Sequence, residues 1–325
     1  MTHKHAITHE SESIPVALVP IINQAEDYAK QSRSANTRTA YKSDWKDFST
    51  WAMSYDLQPL PALPTTLAAY ISDLASRATT STIRRRISAI SQAHIVAGYP
   101  SPASDPIVRE VWKGIRRVKG TAPKQKDALL TNDLRKICKA LPDTLRGHRD
   151  RALLLVGLAG GFRRHELTGI DLEHITFVEN GIIIRLLESK TDKEKEGVDV
   201  GIPNSNSSRA ETCPVRALRT WLAAAGIESG PIFRGIDKHD NLLAGRMSDK
   251  GVARAIKRCC DLIGLDPDKF GGHSLRAGLA TNAAAGGAAG HMIAKQGRWA
   301  SLDMVNRYIR RANLFDGNAA DFLGL

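Results

Sequence analysis

Thiols are scarce in this chain. Its 325 residues include four cysteines, Cys138, Cys213 and the adjacent Cys259 and Cys260, and none shares the spacing of a metal-ligand pair. Reduced, scattered thiols of this kind suit a cytosol better than a disulfide-stapled secreted domain. Long apolar runs are missing as well: none approaches the eighteen or so residues that a membrane span needs. Met1 to Glu10 lacks the basic-then-apolar order of a signal peptide. The expectation is a cytoplasmic protein with no membrane partner. No glycine-rich phosphate loop is present, since Ser189-Lys190-Thr191 ends like a Walker A motif but lacks the glycines before it. Neither a nucleotide nor any other cofactor is expected. No acidic cluster has metal-site spacing, which weighs against a metal-dependent nuclease.

Acidic side chains are also outnumbered. Asp and Glu total 34 against 46 Lys and Arg, a net charge of +12. The 42% hydrophobic and 25% charged composition is that of a folded globular chain, and its length allows two domains, each with its own core. Excess positive charge favours nucleic acid, although anionic membranes and acidic proteins attract it too. From Arg77 to Lys126, eleven Lys and Arg stand against two acids, Asp105 and Glu110, so a local +9 holds about three quarters of the excess. A solvated face accounts for any one cluster but not for such a concentration.

Residues 1–17 are expected to be a flexible tail; their histidines, His3, His5 and His9, are read as part of it rather than as a metal site. Beyond it, apolar side chains recur at three and four: Tyr41, Trp45, Phe48, Trp51 and Ala52 in one helix, then Leu67, Tyr70, Ile71 and Leu74 in another, with Thr65 and Thr66 as caps. A third helix starts near Thr80-Ser81, with Ile83, Ile87, Ile90 and His94 on one side and Arg84, Arg85 and Arg86 on the remainder. A short helix covers Pro106 to Val118. No strand pattern interrupts, so residues 18–118 read as an all-helical domain, and 119–127 (KGTAPKQKD) as a basic extended linker. Residues 128–325 read as mainly helical with a small sheet. Helices open at Thr131 and run from Arg149 to Ala159. A strand–turn–strand follows from Phe177 to Leu187, a charged hairpin loop from Glu188 to Glu196, and a strand from Val198 to Ile202. Helices are expected again from Thr212 to Tyr308.

This second region contains, in chain order, the groups that cutting a phosphodiester requires: a nucleophile, cations for the phosphorane, a proton acceptor and a proton donor. Arg163 lies in Gly160-Gly161-Phe162-Arg163-Arg164-His165-Glu166-Leu167, and Lys190 in Glu188-Ser189-Lys190-Thr191. His273 and Arg276 lie three apart in His-Ser-Leu-Arg, on one helical face. Trp299 follows Gly297-Arg298, and Tyr308 comes nine residues later. Each has an ordinary reading too. Arg163 and Glu166 could be a helix ion pair, His273 a core histidine, and Trp299 with Tyr308 an aromatic stripe. Lys193 and Lys195 share the loop of Lys190.

The order Gly-Phe-Arg-x-x-Glu-Leu, Lys, His-x-x-Arg, Gly-x-Trp and then Tyr resembles the tyrosine recombinase or phage-integrase family, nearest its simple Cre-like and Xer-like members. That resemblance covers nearly the whole chain, and the N-terminal helical region is similar to the family's core-binding domain. It implies a site-specific recombinase that works without metal or ATP through a 3′-phosphotyrosine. Arg163 and Arg276 would grip the scissile phosphate, Lys190 would protonate the leaving 5′ oxygen, and His273 would accept the tyrosine proton or hold the phosphate. Trp299 would pack behind them, Glu166 would orient Arg163, and Tyr308 would attack. The sequence departs from the family's habit at Arg164, His165 and Ala277, which puts local packing in question.

Double-stranded DNA is the expected partner. Arg84, Arg85, Arg86, Arg116, Arg117, Lys119, Lys124 and Lys126 are the expected DNA face, most of them on phosphate and so setting affinity rather than sequence. The amphipathic end, with Leu314, Phe315, Phe322, Leu323 and Leu325, would in the resembled family dock into a neighbouring subunit, giving a homo-tetramer on paired sites. Packing within its own chain is the alternative. A type IB topoisomerase and a catalytically silent DNA-binding protein are the competing functions. A role in mobile-element integration and an association with the nucleoid complete the expectation.

Overall fold

The computed structural model describes residues 34–120, 126–187, 197–205 and 207–312, with isolated positions at 15, 18, 20, 21, 24, 28 and 323. Lys124, Lys190 and the amphipathic end apart from Leu323 lie outside the described residues, as do most positions of the expected tail and linker. The chain divides into two compact units, Met1–Lys124 and Gln125–Leu325.

Helices of the first unit begin where a side chain or a proline replaces a missing helical bond. Before α1 (Ala35–Met53), the Ser34 hydroxyl accepts from the Thr37 N–H at 3.3 Å. α2 (Pro64–Arg77) instead starts on Pro64 behind an extended Leu63 with no side-chain cap. Thr65 and Thr66, expected as caps, therefore lie inside the helix. Thr79 caps α3 (Thr80–Val96) and Asp105 caps α4 (Pro106–Lys119). The apolar stripes meet in one core of Phe48, Leu67, Tyr70, Ile71, Leu74, Ile83, Ile90, Val108 and Ile115. His94 is fully buried and satisfied at both nitrogens. Its Nε2 accepts from the Ala62 N–H at 2.8 Å, which makes Nδ1 the donor to the Ile90 carbonyl at 2.8 Å.

The second unit is mainly helical with two small antiparallel sheets. α5 (Thr131–Ala140) leads to α6 (Leu145–Ala159), whose Ala152, Leu153, Leu154, Leu155 and Val156 are buried in the main core. α6 starts four residues before the expected Arg149. The added turn, Leu145-Arg146-Gly147-His148, carries one large apolar residue, so no stripe marks it in sequence. Behind it Arg149 and Asp150 are buried as an ion pair at 2.8 Å, and Asp150 also receives Arg258. After α7 (Arg164–Gly169), the strands β1 (Ile175–Val178), β2 (Gly181–Leu186) and β3 (Val198–Pro203) form one sheet. Ile182 opposes Ile202 and Ile184 opposes Val200, all four buried, so the period of two fixes the register. The last pair, Leu186 with Val198, flanks the loop that carries Lys190.

Beyond α8 (Pro214–Ala224) the structure departs from expectation. β4 (Arg234–Ile236) and β5 (Leu242–Arg246) form a hairpin where helices were expected. Neither strand has a fully buried residue, so no alternation marks it in sequence. Its turn has a structural use: Asp240, in the left-handed region, accepts the N–H groups of Leu145 and Arg146 at 2.8 and 2.9 Å and so caps α6. α9 (Asp249–Asp261), α10 (Ser274–Ala285), α11 (Gly290–Gly297) and α12 (Leu302–Ala312) follow among the described residues. Asn282 of α10 holds the chain from Leu129 to Thr131 by hydrogen bonds to Leu129 O and Thr131 N. Among the described residues no helix is long and apolar enough to cross a membrane.

Candidate active site

The end of α6 sets the first functional arginine. The chain reverses at Gly160 and Gly161, the latter at φ +57°; a Cβ on Gly160 would stand 2.1 Å from the Phe162 ring. This turn leaves Arg163 at the N-cap of α7, where Glu166 accepts its backbone N–H at 2.9 Å and its Nη1 at 2.6 Å.

α10 supplies the second pair. His273 is its N-cap and Arg276 lies in its first turn. Arg276 is buried; its Nη1 donates to Gly161 O at 2.7 Å and its Nη2 to Arg298 O at 3.2 Å. The guanidinium also lies over the Trp299 ring, 4.1 Å from the centroid. Trp299 takes that position because Gly297 has no side chain: a Cβ there would be 1.7 Å from the indole. The Gly-x-Trp spacing is therefore a packing requirement. On α12, the half-buried Tyr308 has its ring 5.9 Å from that of Trp299 and its Oη 2.9 Å from His273 Nε2.

Electrostatics follow from this crowding of cations. Burial lowers the His273 pKa, and the charges of Arg276 and Arg163 lower it further, so the imidazole is neutral at pH 7. Burial raises the Tyr308 pKa, with Arg276 and Arg307 pulling the other way, so the resting phenol keeps its proton. Burial also lowers the Arg276 pKa, to about 9, helped by the Arg163 and Arg298 charges; the group is still cationic at neutral pH. Glu166 shows the opposite balance. Burial works against its charge, but Arg298 and Arg163 outweigh it and hold the pKa below the ordinary carboxylate value.

The structure thus brings together Arg163, Glu166, His273, Arg276, Trp299 and Tyr308, while Lys190 lies outside the described residues. Arg164 and His165, unusual against the resembled family, are exposed, so neither disturbs the packing of α7. Sequence reasoning missed Arg298, a third guanidinium buried in the site. Its only signal was its place between Gly297 and Trp299, and nothing there marks an arginine as buried.

The expected DNA face separates on inspection. Arg84, Arg116, Arg117, Lys119 and Lys126 are exposed, although the Lys119 amine donates to Ala75 O and the Lys126 amine to Asp268 O. Arg85 is half-exposed but bound to Asp44 through two bonds of 2.7 and 2.9 Å. Arg86 turns inward. Its side chain is 15% exposed and holds Asp47, Tyr70 Oη at 2.7 Å and Asp44 at 3.7 Å. The reason is that α1 offers two acids, Asp44 and Asp47, to the same face of α3.

A neutral imidazole paired with a phenol, beside two buried or half-buried guanidiniums, is equipped to move a phosphodiester onto tyrosine. Residues 127–314 match the phage integrase family, and the chain belongs to it. An integrase/recombinase XerD homolog of Selenomonas ruminantium is 42% identical over 300 residues, covering 91% of this chain and 87% of that protein. The recombinase Cre of Escherichia phage P1 is 23% identical over 303 residues, covering 86% and 85%. Among solved structures, the Tn1549 transposon integrase in complex with transposon right end DNA superposes with a TM-score of 0.60 at 14% identity, over 88% of this chain and 96% of that one. At that identity the likeness is one of fold.

Proposed function

We infer that the chain is a site-specific DNA recombinase that breaks and rejoins strands through a 3′-phosphotyrosine at Tyr308. The observation that carries this reading is the 2.9 Å contact between Tyr308 Oη and His273 Nε2 within reach of the Arg276 and Arg163 charges. Deprotonating a free phenol of pKa near 10 at pH 7 costs about 4 kcal/mol, and a neutral imidazole at hydrogen-bond distance takes that proton directly. The phenolate oxygen then bonds to phosphorus, the bond to the 5′ oxygen breaks, and Lys190 supplies the proton that the leaving oxygen needs. Arg163 and Arg276 meet the charge on the non-bridging oxygens with planar donors that are cationic at neutral pH. Because the phosphodiester energy is kept in the tyrosyl ester, reversal of the step rejoins the strand.

In this reading residues 128–325 are the catalytic domain and residues 18–118 a core-binding domain, joined by a basic linker at 119–127. Arg84, Arg116, Arg117 and Lys126, all exposed, serve phosphate contacts in the core-binding domain and the linker. The amphipathic end would tie four protomers together on paired sites. Incubating the protein with nicked duplexes from DNA flanking its gene and resolving the products under denaturing conditions tests the chemistry. A covalent adduct mapping to Tyr308 is expected. An adduct that persists in Tyr308→Phe, or none with any duplex the protein binds, would refute the reading.

A further inference from the structure

Arg298 has no part in the steps set out above, yet it is bound more fully than either phosphate-facing arginine. It follows α11 at φ +55°, a conformation that side chains other than Gly, Asn and Asp seldom adopt. Its Nη1 donates to the carbonyls of Gly160 at 3.0 Å and Gln296 at 2.9 Å. Its Nη2 donates to Gly161 O at 3.3 Å and to Glu166 Oε2 at 2.9 Å.

These bonds bear on both of the other arginines. Glu166 Oε1 holds Arg163 Nη1, while Oε2 is divided between the Arg163 backbone N–H and Arg298. The carboxylate therefore cannot form a two-pronged pair with Arg163, whose Nε and Nη2 have no protein acceptor among the described residues. On the other side, Arg298 contributes the carbonyl that accepts Arg276 Nη2 and shares with Arg276 the Gly161 carbonyl. Among the described residues one buried carboxylate is set against three guanidiniums, which leaves a surplus of positive charge where a phosphate anion would sit.

We propose that Arg298 is a positioning residue: it occupies one oxygen of Glu166 so that Arg163 keeps most of its fork for the scissile phosphate, and it fixes the Gly160–Gly161 turn and its own carbonyl so that Arg276 points to the same phosphate. The proposal rests on the recombinase reading, and Arg298 itself touches no substrate. Charge coupling agrees with the geometry, since both Glu166 and Arg276 respond to the Arg298 charge.

Arg298→Gly isolates the side chain, because glycine accepts the left-handed backbone and retains the carbonyl used by Arg276. The substrate is a nicked duplex selected by the wild-type protein from a random-sequence pool. At saturating DNA, the single-turnover rate of covalent complex formation is expected to fall about 10- to 100-fold, with a far smaller change in DNA affinity. Arg298→Lys restores a cation but cannot hold Glu166 and both glycine carbonyls at once, so an intermediate rate is expected; it carries the test alone if Arg298→Gly does not fold. In a Glu166→Gln background, Arg298→Gly should cost less than about twofold, because residues acting through one another are not additive. A native rate in either single variant, or fully additive losses in the double variant, would overturn the proposal and leave Arg298 as a stabilising residue only. Wild type and Tyr308→Phe run alongside. If wild type forms no adduct, the recombinase reading fails and this inference with it; if wild type reacts and the variants match it, only this inference fails.

Discussion

Two side chains of ordinary chemistry acquire their roles from their neighbours. Tyr308 has its pKa raised by burial, so it does not ionise at rest, and His273 has its pKa lowered by burial and by Arg276 and Arg163. In the proposed reaction His273 accepts the phenol proton; both shifts oppose that transfer at rest, and a bound phosphate, by adding negative charge beside His273, favours the imidazolium. Transfer requires His273 to be neutral, and a lowered pKa keeps it neutral to a pH below the usual 6.5 of an imidazole. The cleavage rate should therefore climb with pH through an acid limb that lies below pH 6.5 and be level at neutrality. His273→Gln should remove that limb and slow cleavage on the order of 10²-fold. Single-turnover adduct formation measured across the acid range checks both. A limb unchanged in His273→Gln would assign the titration to another group.

At the scale of the element, helices pack through polar as well as apolar stripes. α3 buries Ile83, Ile90 and His94 and also sends Arg85 and Arg86 to Asp44 and Asp47 of α1. The arginine triplet is thus split between an internal clamp and an outer face. Arg86→Ala should destabilise the protein by about 1–3 kcal/mol, since it removes the charged donor of the part-buried Asp47 and a hydrogen bond to Tyr70, while Asp44 keeps Arg85. Arg84→Ala should stay within about 0.5 kcal/mol of native stability and weaken DNA binding instead. Chemical denaturation beside fluorescence anisotropy on a labelled duplex separates the two; equal stability losses would mean that α3 has no such division.

For the whole molecule, charge dominates. A net +12 with its excess concentrated between Arg77 and Lys126 predicts DNA binding driven by counterion release. If six to ten phosphates are contacted, affinity should fall roughly 10³–10⁵-fold between 50 and 200 mM salt. Arg116→Ala and Arg117→Ala should each reduce the slope of log affinity against log salt by about one. A flat salt response in anisotropy titrations would show that the basic stretch does not meet the DNA backbone.

Much of this was legible in the chain itself. The helical stripes of the first unit, the isoleucine-rich strand–turn–strand and the ordered boxes from Arg163 to Tyr308 are local patterns, set by periods of 3.6 and two and by the chemistry of single side chains. Three features were not. The hairpin of β4 and β5 escaped because its strands are short and bury nothing fully. The first turn of α6 escaped because Leu145-Arg146-Gly147-His148 carries one large apolar residue and a glycine, so no stripe marks it. Arg298 escaped because its role depends on Glu166 and the Gly160–Gly161 carbonyls, more than 130 residues away in sequence. Sequence alone determined which reactive groups this protein has and in what order. The tertiary structure decided which of its arginines are spent on carboxylates and carbonyls inside the protein and which stay exposed. Charge pairing depends on distance in space, and composition and periodicity do not encode that distance.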